Sequence, residues 1–242
     1  MGVATLYVLQ PAILKKYAQG DSVGLQRITS QAVKLVGLST ALPAGLLCGF
    51  SRPFLSTWLG PSFQHLDLLL VLLVFHLSTN LSIIPLGYVE NAYNRVRWPG
   101  IVTILTGVFN LGLTILVAWW GKWGVYGVAL AAAVSTRLRS VLFMPLYNAY
   151  IMRLRWWFFL PSLSASAIGT LIVSLMAYAA ASLWMPTGWI TLGVSAAIVS
   201  LVYGAGLFFW GLTQKDWQLI VSLIPAPISQ PAARLLRKAG RI

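Results

Sequence analysis

Arg137 and Arg139 stand inside a long apolar stretch, and of all the residues in the chain they are the best placed to do chemistry. A guanidinium carries five N–H donors in a rigid fork, which suits bidentate contact with a phosphate or a carboxylate. Two residues of separation on a helix is about 200° of rotation, so the two side chains cannot face the same way. If their segment ends near Tyr147, Arg139 lies roughly 12 Å from that end. Ionisable groups at such depth are candidate anion ligands. The alternative is a tilted or short span that leaves both near the headgroups.

Other polar residues gather into stripes. His76, Asn80, Gly87, Asn91 and Asn94 fall within about 60° of one another on a helix, with Glu90 beside them. Facing such a stripe to lipid is costly, so it is expected to face other helices or water. Glu90 and His76 are candidates for proton or cation coupling. Glu90 has a second reading as a headgroup-level partner of Arg95, Arg97 or the asparagines. Thr103, Thr106, Gly107, Asn110 and Thr114 form another stripe, where Asn110 is either an interhelical hydrogen bond or a cavity-lining group. Asp21 or Ser22 can cap a helix starting near Val23. Arg27, Gln31 and Lys34 then recur at i, i+4 and i+7, as a basic wall at a cavity mouth or as a solvated face. Substrate contacts are thus expected at Arg137, Arg139, Asn110, Asn80, Lys34 and Arg27.

Catalytic chemistry is poorly provided for. The acids are Asp21, Asp67, Glu90 and Asp216, and the histidines are His65 and His76. Acid/base catalysis and metal sites need several such groups in one place. Gly121-Lys122 runs into Trp123, which is no P-loop. Cys48 is single and sits in an apolar run, so it reads as a small buried hydrophobe. Met1–Leu14 lacks the basic and small-residue features of a signal peptide, and Leu6 spoils a myristoylation site. The expectation is a protein that is not an enzyme and holds no cofactor or metal.

What must position these residues is a set of membrane spans. Hydrophobic residues make up 58% of the 242 and charged residues 9%, with a mean hydropathy of +0.80. Apolar runs near 35–57, 66–90, 99–120, 124–148, 159–184 and 188–212 are each long enough to cross about 30 Å of hydrocarbon. Basic residues fill alternate gaps. One side holds Lys15, Lys16, Arg27, Lys34, Arg95, Arg97, Arg153, Arg155, Lys215, Arg234, Arg237, Lys238 and Arg241; the other holds Arg52 and Lys122. The positive-inside rule then puts both termini in the cytoplasm. All eleven tryptophans fall near expected span ends, where indole N–H groups reach the headgroups. The net charge of +13 is spread over short loops and a tail, which fits anionic lipid headgroups and not nucleic acid. Pro43, Pro85 and Pro145 interrupt spans, as packed kinks or as hinges. Leu6–Leu14 is too short to span and is expected to end at Pro11. It is an interfacial helix or the end of a transmembrane one.

Several short motifs carry a family likeness. Gln10-Pro11 followed by Lys15-Lys16-Tyr17-Ala18-Gln19-Gly20-Asp21 resembles the cytoplasmic turn in the second half of polysaccharide flippases. These belong to the multidrug/oligosaccharidyl-lipid/polysaccharide exporter superfamily. Arg52-Pro53-Phe54, Trp58-Leu59-Gly60 and Phe63 resemble the next external loop of that family. Asn110-Leu111 with Gly121, Gly124, Gly127, Val128 and Ala129 resembles the hairpin after it. The likeness covers most of residues 8–150, and the last two spans match only as extra hydrophobic helices. It implies a two-lobed bundle of about twelve to fourteen helices in the bacterial cytoplasmic membrane. Such a bundle moves an undecaprenyl-pyrophosphate-linked oligosaccharide outward by alternating access.

On that reading the chain is an all-α integral membrane protein forming the C-terminal portion of such an exporter. Residues 1–34 are the end of a truncated helix and a cytoplasmic connection. Residues 35–148 are four helices of the second lobe, 149–212 two additional helices, and 213–242 a basic cytoplasmic tail. Its partners would be membrane lipids, the polyprenyl-pyrophosphate-linked glycan and a missing N-terminal lobe or a partner chain. The competing readings are an integral-membrane enzyme acting on lipid-linked sugars through Glu90 and His76, and an unrelated six-span transporter or membrane subunit.

Overall fold

The computed structural model describes residues 2–121, 123–184 and 186–223. The basic tail from Arg234 and the loop residue Lys122 lie outside the described residues. Helices account for nearly all of what is described: α1 Gly2–Ala18, α2 Ser22–Gly49, α3 Ser51–Trp58, α4 Asp67–Val74, α5 Leu77–Ser82, α6 Ile84–Ala92, α7 Arg97–Trp120, α8 Gly124–Arg137, α9 Met144–Ile151, α10 Leu160–Trp184, α11 Trp189–Gly206 and α12 Gln214–Leu223. A 3-10 turn, Pro61–Leu66, precedes α4; π-helical turns, Leu138–Phe143 and Leu207–Gly211, come directly after α8 and α11. Among the described residues, six spans are long and apolar enough to cross a bilayer: Ser22–Gly49, Pro61–Ala92, Arg97–Trp119, Gly124–Ile151, Leu160–Trp184 and Trp189–Phe209. The chain is an all-α, multi-pass integral membrane protein.

Span boundaries reflect local chemistry. Asp21 caps α2, its Oδ1 accepting the Gly24 N–H at 2.8 Å, and the helix runs unbroken from Ser22 into the membrane. The helix that carries the first span therefore begins at Ser22, ahead of the apolar run that starts near residue 35. Lys16 donates to Asp21 Oδ2 at 2.7 Å, and this bond with the Gly24 N–H holds the Asp21 carboxyl below the usual carboxylate range. Gly20, with φ 69°, supplies the left-handed residue that turns α1 into α2.

Two expectations for the N-terminal half need correcting. α1 continues through Pro11 to Ala18 instead of ending at Pro11, and it packs into the bundle: Leu9 and Ile13 are buried against α2 and α6. The polar stripe of the second span is not one helical face. The span breaks at Phe75-His76 and again at Ile83, so the 100° phase is lost between His76 and Glu90. Pro85 sits in the first turn after the second break, and Pro145 in the first turn after the π segment. Pro85 fits because the first turn of a helix lacks N–H partners anyway, and Pro145 follows a π turn whose last bond, from the Met144 N–H to the Arg139 carbonyl, has already left the α pattern. Pro43, by contrast, lies within α2 without ending it.

α2 and α10 form the central seam. Lipid chains are as apolar as leucine, so helix association here depends on close packing and hydrogen bonds. Gly37, Gly45 and Gly49 of α2 meet Ser166, Val173 and Ala177 of α10 so closely that an added Cβ would overlap them. Ser30 and Ser162 hydroxyls pair across the seam at 2.8 Å. Ser78 of α5 and Thr170 of α10 pair at 2.6 Å, and the Tyr203 hydroxyl of α11 donates to the Leu38 carbonyl at 3.0 Å. Ile13, Leu25, Val33, Leu86, Val89, Met144, Phe159 and Leu163 fill the core toward the other end of α2. α7 differs: it packs on α8, and no residue of its most apolar stretch is buried.

Candidate functional site

The π segment Leu138–Phe143 organises the polar interior. A π turn inserts extra backbone into a helix and rotates the phase of every later residue, and such turns are frequent at functional positions. Arg137 closes α8 and Arg139 lies within the π turn, and their side chains enter different grooves.

Arg137 enters a groove between α4 and α8. Its guanidinium carbon lies 5.1 Å from the centre of the Phe75 ring, a cation–π distance. That groove, about 490 Å³, is otherwise lined by Val71, Leu72, His76, Val134 and Val141 among others. The break at Phe75-His76 delivers both residues to it. His76 Nδ1 is 3.2 Å from the Leu72 carbonyl.

Arg139 enters a second groove, between α7 and the end of α8, of about 260 Å³. Val102, Leu105, Thr106, Phe109 and Ser135 line it. Its Nε is buried and has no hydrogen-bond partner, and Ser135 Oγ is in the same condition. Asn110 Oδ1, on the neighbouring α7, is also buried without a partner. Buried polar atoms are almost always paired, so unpaired ones in a groove mark where a ligand or a rearrangement would supply the bond.

Two further residues of the π region are engaged. Ser140 donates to Asn80 Oδ1 at 2.9 Å, which makes Asn80 a contact between α5 and the π turn. Glu90 is 5% exposed, and Asn148 of α9 donates to its Oε1 at 2.8 Å. Among the described residues, the Glu90 carboxyl is thus engaged by an asparagine and forms no ion pair with Arg95 or Arg97.

At the end of the bundle that gathers Arg95 and Arg153, a wider cavity of about 1020 Å³ opens between Ser22, Gln26, Tyr93, Arg95, Trp98, Tyr147, Tyr150 and Arg153. Matching turns shape it. Asn94 and Arg153 take left-handed backbone, φ 53° and 55°, and the next amides close back on Glu90 and Ala149 carbonyls at 2.9 and 2.8 Å. These are Schellman-type helix ends. Tyr147 donates to the Arg95 carbonyl at 3.0 Å and ties the two turns together.

Of the basic stripe on α2, Arg27 is exposed. Lys34 is held: its Nζ lies 2.7 Å from Asp216 Oδ2, with the aspartate 3% exposed. Burial works to raise the Asp216 carboxyl. The Lys34 ammonium and the backbone and hydroxyl donors of Thr213 outweigh it, and the net result is a carboxyl held below its usual range. At the opposite end Arg52 pairs with Asp67 at 2.5 Å, and this carboxylate raises the Arg52 guanidinium.

The structure thus brings Arg137 to His76, Asn80 to Ser140 and Glu90 to Asn148, and it places Arg139 and Asn110 with unpaired atoms beside α7. It does not bring His76 and Glu90 into one contact. Asn148, Ser140, Phe75 and Asp216 were missed as partners. Asn148 had one signal, a buriable amide at an apolar span's end, but its partner Glu90 lies on another span, where no helical period relates the two.

Comparison with known proteins places the chain among membrane proteins. An uncharacterized membrane protein EpsK of Bacillus subtilis (strain 168) is 33% identical to it over 219 residues, which is 90% of this chain and 43% of that relative. The chain therefore spans less than half the length of the relative. No family model and no solved structure matches it.

Proposed function

We propose that the chain is part of an exporter that carries an anionic, lipid-linked oligosaccharide across the bacterial cytoplasmic membrane for surface-polysaccharide synthesis. The observation that carries the reading is the Arg139 guanidinium, whose Nε is buried without a partner in an apolar groove beside a π turn. A cation in an apolar groove is costly to keep. A pyrophosphate would satisfy it by charge-assisted hydrogen bonds. Arg137, on the opposite side of the same turn, offers a second such contact toward α4.

In this reading Arg27 and the Arg95–Arg153 cavity collect the charged head at the cytoplasmic end. The polyprenyl tail stays in the bilayer, and the sugars pass along the α7 and α8 face, where Asn110 offers an unpaired oxygen. An inside-negative potential favours outward movement of the anion by about 2.3 kcal/mol per charge per 100 mV. Both termini are cytoplasmic. The remainder of the cavity comes from a further lobe or a partner chain, and the protein moves its cargo without turning it over. An enzymatic reading through Glu90 and His76 is less favoured, because the two make separate contacts.

The test is charge reversal in the full-length protein. Arg137→Glu and Arg139→Glu should each abolish surface polysaccharide while the protein still inserts in the membrane at normal abundance. Normal export by both variants overturns the reading.

A further inference from the structure

The buried carboxyl of Glu90 faces an amide that is only half satisfied. Asn148 is 0% exposed. Its Nδ2 spends both hydrogens, one on Glu90 Oε1 at 2.8 Å and one on the Met144 carbonyl at 2.9 Å. The second of these bonds fixes which way round the amide sits, since only a nitrogen can donate to a carbonyl. Asn148 Oδ1 is then left buried with no donor. A carboxylate opposite it would set an anion against an orphaned carbonyl oxygen. A carboxylic acid would not, because acid and primary amide close a ring of two hydrogen bonds. The acid carbonyl accepts N–H, and the acid O–H donates to the amide oxygen.

We propose that Glu90 and Asn148 form a proton-binding site in which Glu90 is a neutral acid, and that release of the proton transfers the carboxylate from Asn148 to Arg139. The charged and titratable groups that face Glu90 are Arg139 from the π turn and Tyr147 from α9. α1 and α2 bring apolar side chains to this side of α6, among them Ile13, Leu25 and Val33. Arg139 is close enough for its charge to act on Glu90, and its Nε has no partner.

Two pairings therefore compete. With the proton bound, the acid–amide ring is closed and the guanidinium is open to an external anion. When the proton leaves Oε2 for water, the acid becomes a carboxylate, and its pair with the guanidinium goes from a net charge of +1 to zero. The π turn is the natural pivot, since it joins Arg139 to α9 and hence to Asn148. The consequence for export, that proton binding frees Arg139 for an anion, rests on the transporter reading. The proton site itself does not.

Infrared difference spectroscopy on the full-length protein in lipid nanodiscs, with the pH stepped in sodium-free buffer, tests this directly. A protonated carboxyl band should appear that Glu90→Gln abolishes and Asn148→Leu shifts to higher frequency. Its loss on raising the pH should be accompanied by a change in the guanidinium bands that is absent in Arg139→Gln. Each variant is first checked for a monodisperse profile and retained helicity. The proposal is overturned if Glu90→Gln leaves every carboxyl band unchanged, if Asn148→Leu does not move the Glu90 band, or if the Glu90 signal depends on sodium and not on pH. A surviving Glu90 band in a protein whose arginine reversals export normally would sink the anion cargo alone and leave the proton site standing.

Discussion

Substituting alanine at Gly45 should separate the two helices that hold the bundle together. A Cβ built there lies 2.6 Å from Val173 Cβ and 3.0 Å from the Thr170 carbonyl oxygen. Neither atom can escape by a rotamer change, because one is fixed to the backbone and the other belongs to it. Carbon atoms in contact sit at about 3.5–4.0 Å, so α2 and α10 must move apart by about 1 Å. Overpacking of this sort costs about 1–3 kcal/mol. Alanine also gains about 1 kcal/mol over glycine in a helix, which partly offsets the cost. Gly107→Ala on α7 isolates the two effects, since nothing lies within 4 Å of a Cβ at that position. The helix gain is common to both variants and cancels between them. The difference in unfolding free energy between Gly107→Ala and Gly45→Ala should therefore equal the overpacking term, about 1–3 kcal/mol. Unfolding by SDS in mixed micelles, followed by far-UV circular dichroism, would measure it. If the two variants unfold at the same SDS fraction, the close-packed seam is wrong.

Asp216→Asn should loosen α12 from α2 by about 3 kcal/mol, at the low end for breaking a buried pair because Lys34 keeps some exposure; limited proteolysis after Gly211 would report it. The Asp216 carboxyl is lowered in the folded protein, so its contribution is complete above the ordinary value near about 3.9 and is lost as pH falls through the lower folded value. Acidification through that window should expose the same cleavage sites in the parent protein, while Asp216→Asn shows no further step. Alkaline phosphatase inserted at Gln64 or Thr187 should be active and the same enzyme inserted after Asn94 inactive, with the opposite pattern refuting the cytoplasmic placement of the termini.

The membrane character and most of the span limits were legible because each rests on a sum over about twenty residues, which single substitutions barely perturb. The divergence of Arg137 and Arg139 was legible too, because two residues of separation on a helix leave little freedom. The partners were not. Glu90 and Asn148 lie far apart in sequence, and between His76 and Glu90 the second span breaks twice, so no constant angular step relates its polar residues. Lys34 looked like a member of a basic wall because its counter-ion, Asp216, arrives from the far end of the chain. The left-handed turns at Asn94 and Arg153 escaped for a local reason, since glycine is the usual residue there and neither position has one.

Tyr203 gives the last span a role beyond anchoring. Gly169 of α10 lies beside its hydroxyl, and that gap lets a side chain from α11 reach past a whole helix to the Leu38 carbonyl of α2. Three successive layers are thus riveted through a single phenol, five residues before Pro43. α2, α10 and α11 therefore stand together as one piece, and Ser78 of the second span is fastened to the same piece through Thr170.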